Sequence, residues 1–318
     1  MNFLKLIRWS NLLIIALLMV IVRLFIFEKG LQNSGLLFNL QFPQSSFWIL
    51  VASVVLIAAG GNVVNDIYDQ EIDNVNKPDK KIVGKSISET KAWILFFVLT
   101  LSGIALGYYL ALEAKNTSFT LFHIFTPLLL WIYAAQLKKS PLLGNLAIAV
   151  LAACVPLVQL TFEYGAMLGA YSEVLNINVY GNPILFMPEW CFYLAVFAFL
   201  STLIREIIKD MEDIEGDQKF GARTLPVVFG MTNAKKIVVV LSMIFIAVLY
   251  AALFFLSIFS QNTIVYFAYQ SLSIALLVGS SMLKVVKTKD KKDFTALSNL
   301  WKLIMLAGFG TCIIYGFL

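Results

Sequence analysis

The amino-acid sequence predicts an all-α, polytopic membrane protein, a bundle of about nine transmembrane helices with two Asp-rich loops on one membrane face. Three observations lead to this fold class. Hydrophobic residues make up 60% of the 318 residues, charged residues make up 14%, and the mean hydropathy is +0.83, whereas about 45–50% of a soluble domain is apolar. The apolar residues form long runs, and most charged residues lie between them. At about 20 residues for each crossing, the chain has room for a single membrane domain over residues 1–318.

Each of nine apolar runs is long enough to cross about 30 Å of hydrocarbon as a helix. The runs are apolar on all sides, whereas strands of a membrane β-barrel alternate apolar and polar residues, so helices are predicted. Lys5 and Arg8 precede the first run and no small-residue cleavage site follows it, which predicts a retained span rather than a signal peptide. The runs cover residues 10–27, 46–64, 92–112, 118–136, 142–162, 189–208, 236–259, 262–283 and 300–318.

The distribution of Lys and Arg predicts the orientation of these spans. With nine crossings, 3 of the 24 basic residues, Arg23, Lys29 and Lys115, fall on the side opposite the N-terminus, which leaves 21 on the N-terminal side. Basic residues accumulate in cytoplasmic loops, so the N-terminal side is predicted to be cytoplasmic. All nine aspartates fall on that same side. We therefore predict a multi-pass protein of a bacterial or archaeal cell membrane, with its active site facing the cytoplasm.

Two acidic clusters of matching spacing follow the second and sixth runs. Their members are Asn65, Asp66, Asp69 and Asp73 in the first cluster, and Asp210, Asp213 and Asp217 in the second. Spacings of three and four place side chains on one face of a helix, so Asn65, Asp69 and Asp73 are expected to converge, and so are the three members of the second cluster. Like charges this close repel unless a cation holds them, and Mg²⁺ takes Asp and Asn oxygens together with phosphate oxygens. One cluster could be an ordinary solvated loop, but two of matching spacing favour a shared site and an internal duplication.

Basic residues accompany both acidic clusters. Lys80 and Lys81 follow the first cluster, Arg205 and Lys209 precede the second, and Arg223 follows it. A diphosphate needs metal ions that bridge it to carboxylates, and it needs Lys or Arg to take up the charge that grows as it leaves. The mixture of acids and bases therefore predicts a Mg²⁺-dependent phosphate site.

The end of the fourth run adds two candidates, Tyr133 and Lys138. A Tyr and a Lys at the cytoplasmic end of a span are also common interfacial anchors, so both interpretations stay open. In the functional interpretation, Lys138 reaches the diphosphate or the phosphate of an acceptor, with Lys80 or Lys81 as the next candidates for the acceptor. Tyr133 then lines the pocket in which an allylic chain ionises.

At these residues the sequence resembles the UbiA family of membrane prenyltransferases, whose members combine an N-D-x-x-D-x-x-x-D loop with a later D-x-x-D-x-x-x-D loop. The resemblance spans nearly the whole chain. Segments 65–88, 133–145 and 209–230 look most like the geranylgeranylglycerol-phosphate geranylgeranyltransferase branch of the family. That branch usually has Arg-Pro after its Asn-Lys-Pro-x, where this chain has Lys80 and Lys81.

The resemblance implies a cavity capped by the two Asp-rich loops and a Mg²⁺-dependent transfer of a polyprenyl group, geranylgeranyl above all, from its diphosphate to geranylgeranylglycerol phosphate or a similar lipid. It assigns Mg²⁺ to Asn65, Asp69, Asp73, Asp210, Asp213 and Asp217, with Asp66 as a further candidate. It assigns the diphosphate to Lys138, Arg205 and Lys209, and the allylic cation to the aromatic faces of Tyr68 and Tyr133. Further substrate contacts are expected from Asn65, Asp66, Lys80, Lys81 and Arg223.

Other functions and partners fit the sequence to different degrees. An aromatic acceptor of quinone biosynthesis, of the 4-hydroxybenzoate or dihydroxynaphthoate type, fits the same loops and stays an alternative. A transporter is less favoured because its acids sit at mid-membrane, whereas no Asp lies at the centre of a run. A soluble prenyl synthase would have helices broken by charge. Despite the net charge of +5, the basic residues form no continuous patch, so the predicted partners are substrates and membrane lipid, not nucleic acid.

Overall fold

The computed structural model describes residues 2–33, 38–76, 81–175, 184–260 and 262–318. Within these residues, nine helices are long and apolar enough to cross a membrane, as the nine runs predict. In chain order they are α1 Trp9–Asn33, α2 Gln44–Tyr68, α3 Glu89–Glu113, α4 Thr117–Ala135, α5 Leu143–Tyr171, α6 Phe186–Glu212, α7 Met231–Phe255, α8 Thr263–Lys287 and α9 Lys291–Phe317. The protein is therefore an all-α, multi-pass membrane protein.

Helices α2 and α6, which lead into the two acidic clusters, are the most deeply packed of the described spans. In the most apolar stretch of each span, 56% of α2 and 61% of α6 is buried inside the protein, against 44% or less elsewhere. On α2, Ser53 Oγ donates to Gly103 O of α3 over 2.6 Å, and a Cβ at Gly103 would lie 2.9 Å from Ser53 O. Small residues at membrane helix contacts permit such close approach. The two acidic clusters therefore follow helices that are packed closely against their neighbours.

The backbone makes the same break at the end of both helices. Asp69 (φ −91°, ψ 1°) ends α2 and Asp213 (φ −99°, ψ 8°) ends α6, and the short helices Gln70–Asn76 and Ile214–Lys219 follow. Both residues lie in the bridge region of backbone conformation. The hydrogen bonds also match, because Asp69 N donates to Asn65 O over 3.0 Å and Asp213 N donates to Lys209 O over 2.9 Å. This correspondence supports the predicted duplication, and it shows that the acidic clusters are helix ends rather than irregular chain.

Contacts between distant segments bring these helix ends to one face of the bundle. Asn76 Oδ1 accepts a hydrogen bond from Gly216 N over 3.0 Å, and Lys291 Nζ at the start of α9 donates to Asn76 O over 2.7 Å. Arg223 N donates to Lys139 O, after the end of α4, over 2.8 Å. The two acidic clusters therefore share a single face, as the topology drawn from the sequence requires.

Helices α1 and α5 are joined by a buried ion pair away from this face. Arg23, in a π-helical segment of α1 (Val22–Glu28), pairs with Glu163 of α5, and both side chains are buried. Arg23 Nη2 also donates to Phe42 O over 2.8 Å, and its guanidinium lies 4.7 Å from the ring centroid of Phe47. Charges within a membrane are tolerated when they are paired and hydrogen-bonded in this way.

Candidate active site

A cavity of about 1060 Å³ extends from the face with the acidic clusters into the bundle. The part of the cavity nearest this face is polar. The rest is lined by apolar side chains such as Leu12 and Ile15 of α1, Leu130 of α4 and Val155 of α5. Every residue predicted to bind metal lines this cavity, as does Asp66. These residues are Asn65, Asp69, Asp73, Asp210, Asp213 and Asp217. One compartment therefore combines oxygen ligands at its mouth with an apolar interior.

The first acidic cluster is held by cations from other parts of the chain. Asn65 Nδ2 donates to Asp69 Oδ2 over 2.8 Å, one helical turn away, and Lys138 Nζ forms an ion pair with the other oxygen of Asp69. Arg8, just before α1, pairs with Asp66 over 2.7 Å. Burial alone would lower the pKa of Arg8, but the charge of Asp66 and the hydrogen bond to it outweigh burial and raise that pKa. The guanidinium thus stays charged.

The second acidic cluster includes neutral hydrogen-bond donors among its partners. Asn145 Nδ2 at the start of α5 donates to Asp210 Oδ2 over 2.8 Å, and Thr224 Oγ1 donates to Asp217 Oδ2 over 2.9 Å. Lys291 Nζ lies 4.0 Å from Asp213 Oδ1, at the outer limit of an ion pair. Neutral amide and hydroxyl donors therefore help to orient Asp210 and Asp217, and both residues line a cavity that can accept a cation.

The basic residues of α6 share one carboxylate inside the cavity. Glu206 accepts from Arg205 Nη1 over 3.0 Å and from Lys209 Nζ over 2.7 Å, and it is 7% exposed. The ion pairs orient both basic side chains, and together the three residues carry a net positive charge because two cations face one anion. Both Arg205 and Lys209 line the cavity, as predicted, and Tyr133 does so from α4.

Four other residues were predicted to contact substrate, and the structure describes three of them. Tyr68 is 41% exposed and packs edge-on against Trp93 of α3, with ring centroids 6.0 Å apart, so it stands outside the cavity lining. The exposed Arg223 also stands outside that lining. Lys81 lines the cavity, and its Nζ donates to Asn74 Oδ1 over 3.0 Å. Lys80 lies outside the described residues.

The structure adds four residues that sequence reasoning did not assign to the site. Asn145 and Glu206 contact predicted residues, Arg8 was expected only as a basic residue before the first span, and Lys302 of α9 lines the cavity. A signal existed for two of them. Arg205, Glu206 and Lys209 form an acid between two bases at helical spacing, and Lys302 is the single charged residue of the last apolar run.

The donor set of the cavity mouth fits Mg²⁺ shared with a phosphate. Among the described residues, no three His, Cys, Asp or Glu side chains converge closely enough to hold a metal ion by themselves. Mg²⁺ is usually bound by one or two carboxylates, while waters and substrate phosphates complete its octahedron. Asp69 and Asp210 offer carboxylate oxygens of this kind, and Asn65 offers an amide oxygen.

Comparisons with known proteins agree with this architecture. The model of the UbiA prenyltransferase family matches residues 34–303. The chain is 36% identical over 262 residues to a digeranylgeranylglyceryl phosphate synthase of Methanosphaera stadtmanae, covering 82% of this chain and 85% of that relative. It is 32% identical over 267 residues to the synthase of the same name from Methanothermobacter thermautotrophicus, covering 83% of both.

Solved structures share the fold. A structure of a digeranylgeranylglyceryl phosphate synthase has a TM-score of 0.62 at 24% identity and covers 98% of both chains. A UbiA homolog from Archaeoglobus fulgidus bound to DMAPP and Mg²⁺ also has a TM-score of 0.62, at 17% identity, covering 98% of this chain and 99% of that one. Both likenesses extend over all the helices described above.

Proposed function

This chain belongs to the UbiA prenyltransferase family and is therefore a prenyltransferase, and we propose that it moves a geranylgeranyl group from its diphosphate to a glycerol-phosphate lipid. One observation carries the proposal. The two acidic clusters, the basic residues of α6 and an apolar interior all line one cavity. A prenyl diphosphate has this same division into an anionic head and an apolar tail. The curated relatives that bear the name digeranylgeranylglyceryl phosphate synthase support the acceptor class.

The acidic clusters would hold the head of the donor through Mg²⁺. Asn65 and Asp69 on one side and Asp210 and Asp213 on the other are the residues we assign to this role, with Asp73 and Asp217 behind them. Bound there, Mg²⁺ neutralises charge on the diphosphate and makes it a better leaving group. The hydrogen bonds from Asn145 and Thr224 fix the orientation of the carboxylates on the α6 side.

The basic residues take up the charge that develops as the donor ionises. The bond between C1 of the prenyl chain and the bridging oxygen breaks, and the electron pair leaves with the diphosphate, where Lys138 and Lys209 can contact it. Tyr133 lines the cavity beside these residues and offers an aromatic face to the allylic cation. The acceptor hydroxyl oxygen then bonds to C1, and its proton leaves with the released diphosphate.

A phosphorylated acceptor is favoured by the number of cations in the cavity. Arg8, Lys138, Arg205, Lys209 and Lys302 all line it, although Mg²⁺ already neutralises the donor head in the proposed complex. These residues would stabilise a second anion, and the phosphate of a glycerol-phosphate lipid carries more negative charge than the single carboxylate of an aromatic acceptor such as 4-hydroxybenzoate. We propose that the reaction takes place at the cytoplasmic face of the cell membrane, because 21 of the 24 basic residues fall on that side of the spans.

The test is a reconstituted reaction with matched acceptors. Purified protein, Mg²⁺ and geranylgeranyl diphosphate are incubated with geranylgeranylglyceryl phosphate, with the same lipid lacking the phosphate, or with 4-hydroxybenzoate. Products are measured by mass spectrometry. We expect transfer to the phosphorylated lipid that stops when EDTA removes Mg²⁺. Transfer to 4-hydroxybenzoate alone would replace the lipid acceptor by the aromatic one, and the absence of transfer to all three would overturn the proposed function.

A further inference from the structure

Lys302 differs from the other basic residues that line the inner cavity. It is half-buried on α9, one turn beyond Ser298, which lines the same cavity. Among the described residues it has no hydrogen-bond or ion-pair partner, whereas Lys138 pairs with Asp69, and Lys209 pairs with Glu206. A lysine inside a membrane span is costly unless it has a function or a partner. Its ammonium group is therefore available to an anion that enters the cavity.

The depth of Lys302 follows from the contact between α6 and α9. Thr295 Oγ1 of α9 donates to Glu212 Oε1 of α6 over 2.8 Å, and the two helices run in opposite directions from this point into the membrane. Lys302 is seven residues beyond Thr295, and Arg205 is seven residues before Glu212. At 1.5 Å for each residue, both lie about 10 Å below the contact. Lys302 is thus level with Arg205.

At this level, basic charges outnumber acidic ones. At this depth Lys302 and Arg205 are cations, and Glu206, six residues before Glu212, is the carboxylate that pairs with Arg205. The positive charge of Lys302 is left in excess. A site that has a net positive charge and little access to water stabilises a bound anion.

The acidic ligand Asp210 lies closer to the mouth of the cavity. It is two residues from Glu212, about 3 Å along α6, so the level of Lys302 is about 7 Å deeper. A diphosphate held at the mouth places C1 of its prenyl chain below it, toward the apolar interior. The acceptor hydroxyl must reach C1, and the acceptor phosphate is attached to a nearby carbon. Its phosphate therefore needs a cation at the deeper level, where Lys302 lies.

We propose that Lys302 binds the phosphate of the acceptor lipid and thereby selects a phosphorylated acceptor over an unphosphorylated one. This inference rests on the proposed function and specifies which residue recognises the proposed acceptor. Lys138, which pairs with Asp69 at the mouth, is left to the donor diphosphate. The two lysines thus divide the two anions of the reaction between two depths of one cavity.

The test compares Lys302→Gln with Lys302→Arg and with a matched control, Lys292→Gln. Lys292 is an exposed lysine on the same helix and lies outside the cavity lining. KM for each substrate and kcat are measured, and binding of geranylgeranylglyceryl phosphate and of the lipid without phosphate is measured separately on the purified proteins. We expect Lys302→Gln to weaken binding of the phosphorylated lipid by about tenfold or more and to leave the KM for the donor unchanged. Lys302→Arg should restore most of the affinity, and Lys292→Gln should match the wild type.

The outcomes separate this inference from the proposed function. If the wild type binds both lipids equally well, the proposed acceptor class is wrong. If the wild type prefers the phosphorylated lipid and Lys302→Gln keeps the full preference, the proposed function stands and the role of Lys302 is refuted. An equal rise in KM for donor and acceptor also refutes it, because Lys302 would then act on the cavity as a whole. Comparable thermal unfolding of all variants excludes loss of fold as the cause.

Discussion

At the ends of α2 and α6 the chain makes the same backbone break, with Asp69 and Asp213 in nearly the same conformation, but different side chains surround the two ends. Arg8 and Lys138 pair with Asp66 and Asp69 at the end of α2. At the end of α6, a neutral amide, Asn145, is the hydrogen-bond donor to Asp210. Two copies of one structural unit therefore present different charge distributions to one cavity.

This difference indicates a division of labour between the two helix ends. The first combines carboxylates with cations, so it can contact both Mg²⁺ and phosphate oxygens. At the second, Asp210 is oriented by the neutral amide of Asn145, which leaves more of its charge to a metal ion. We therefore expect loss of a carboxylate at the α6 end to affect the Mg²⁺ requirement more than the same loss at the α2 end.

The largest expected effect is the loss of a carboxylate. Asp69→Asn and Asp210→Asn should each lower turnover by about 10² or more, which is the effect of removing one electrostatic stabiliser of a transition state. The Mg²⁺ concentration needed for half-maximal turnover should rise further in Asp210→Asn, because Asp69→Asn also frees Lys138 to bind the diphosphate. Turnover is measured against Mg²⁺ concentration, with Asp293→Asn, an exposed residue on α9, as the control. Near-normal turnover in both variants would make the clusters ordinary surface charge.

The next effect concerns Lys138. Lys138→Gln removes the cation that pairs with Asp69, and KM for geranylgeranyl diphosphate should rise about tenfold while KM for the acceptor changes less. Lys302→Gln should show the opposite pattern. Steady-state kinetics with each substrate varied in turn measures both. If the two variants changed the same KM, the two lysines would not serve separate anions.

A smaller effect is expected where the two acidic segments touch. A Cβ at Gly216 would lie 2.4 Å from Asn76, so Gly216→Ala should push the segments apart and lower turnover by about tenfold, since small displacements of positioned groups reduce rates steeply. Gly169→Ala on α5 is the matched control, because a Cβ there meets nothing within 4 Å. Addition of Asn76→Ala relieves the crowding and should recover part of the activity. Wild-type turnover in Gly216→Ala would show that this contact does not position the clusters.

The last prediction is that both helix ends lie on one membrane face. The cysteine substitutions that test it should leave activity unchanged. Single cysteines are introduced at the exposed positions Thr90, Lys292 and Ala114, in a background without Cys154, Cys191 and Cys312. An impermeant thiol reagent added outside intact cells should label Ala114→Cys and spare the other two. Labelling of Thr90→Cys and Lys292→Cys from opposite sides would contradict the shared face, and labelling of both from outside would reverse the orientation.

Much of the fold could be predicted because each span is a local, length-limited property of the sequence. A run of about 20 apolar residues must be helical in lipid, whatever lies elsewhere in the chain. The spacing within the acidic clusters is local too, which is why Asn65 and Asp69 are found in contact as expected.

The partners of the clusters could not be predicted because they come from distant helices. Asn145 is 65 residues from Asp210, and Arg8 is 58 residues from Asp66, so only the packing of the bundle brings them together. Tyr68 shows a second limit. It lies in the last turn of α2 beside Asp69, but the phase of that turn directs its ring to Trp93 rather than to the cavity. Spacing predicts which residues share a face, and packing decides what that face meets.

If both helix ends hold one Mg²⁺–diphosphate head together, donor binding measured without turnover should depend on each of them. A thiolodiphosphate analogue of geranylgeranyl diphosphate, which resists ionisation, is titrated into wild type, Asp69→Asn and Asp210→Asn, with Mg²⁺ and with EDTA. We expect tight binding only for the wild type with Mg²⁺, and a loss of about tenfold or more in each variant. Wild-type affinity in either variant, or equal affinity in EDTA, would contradict it.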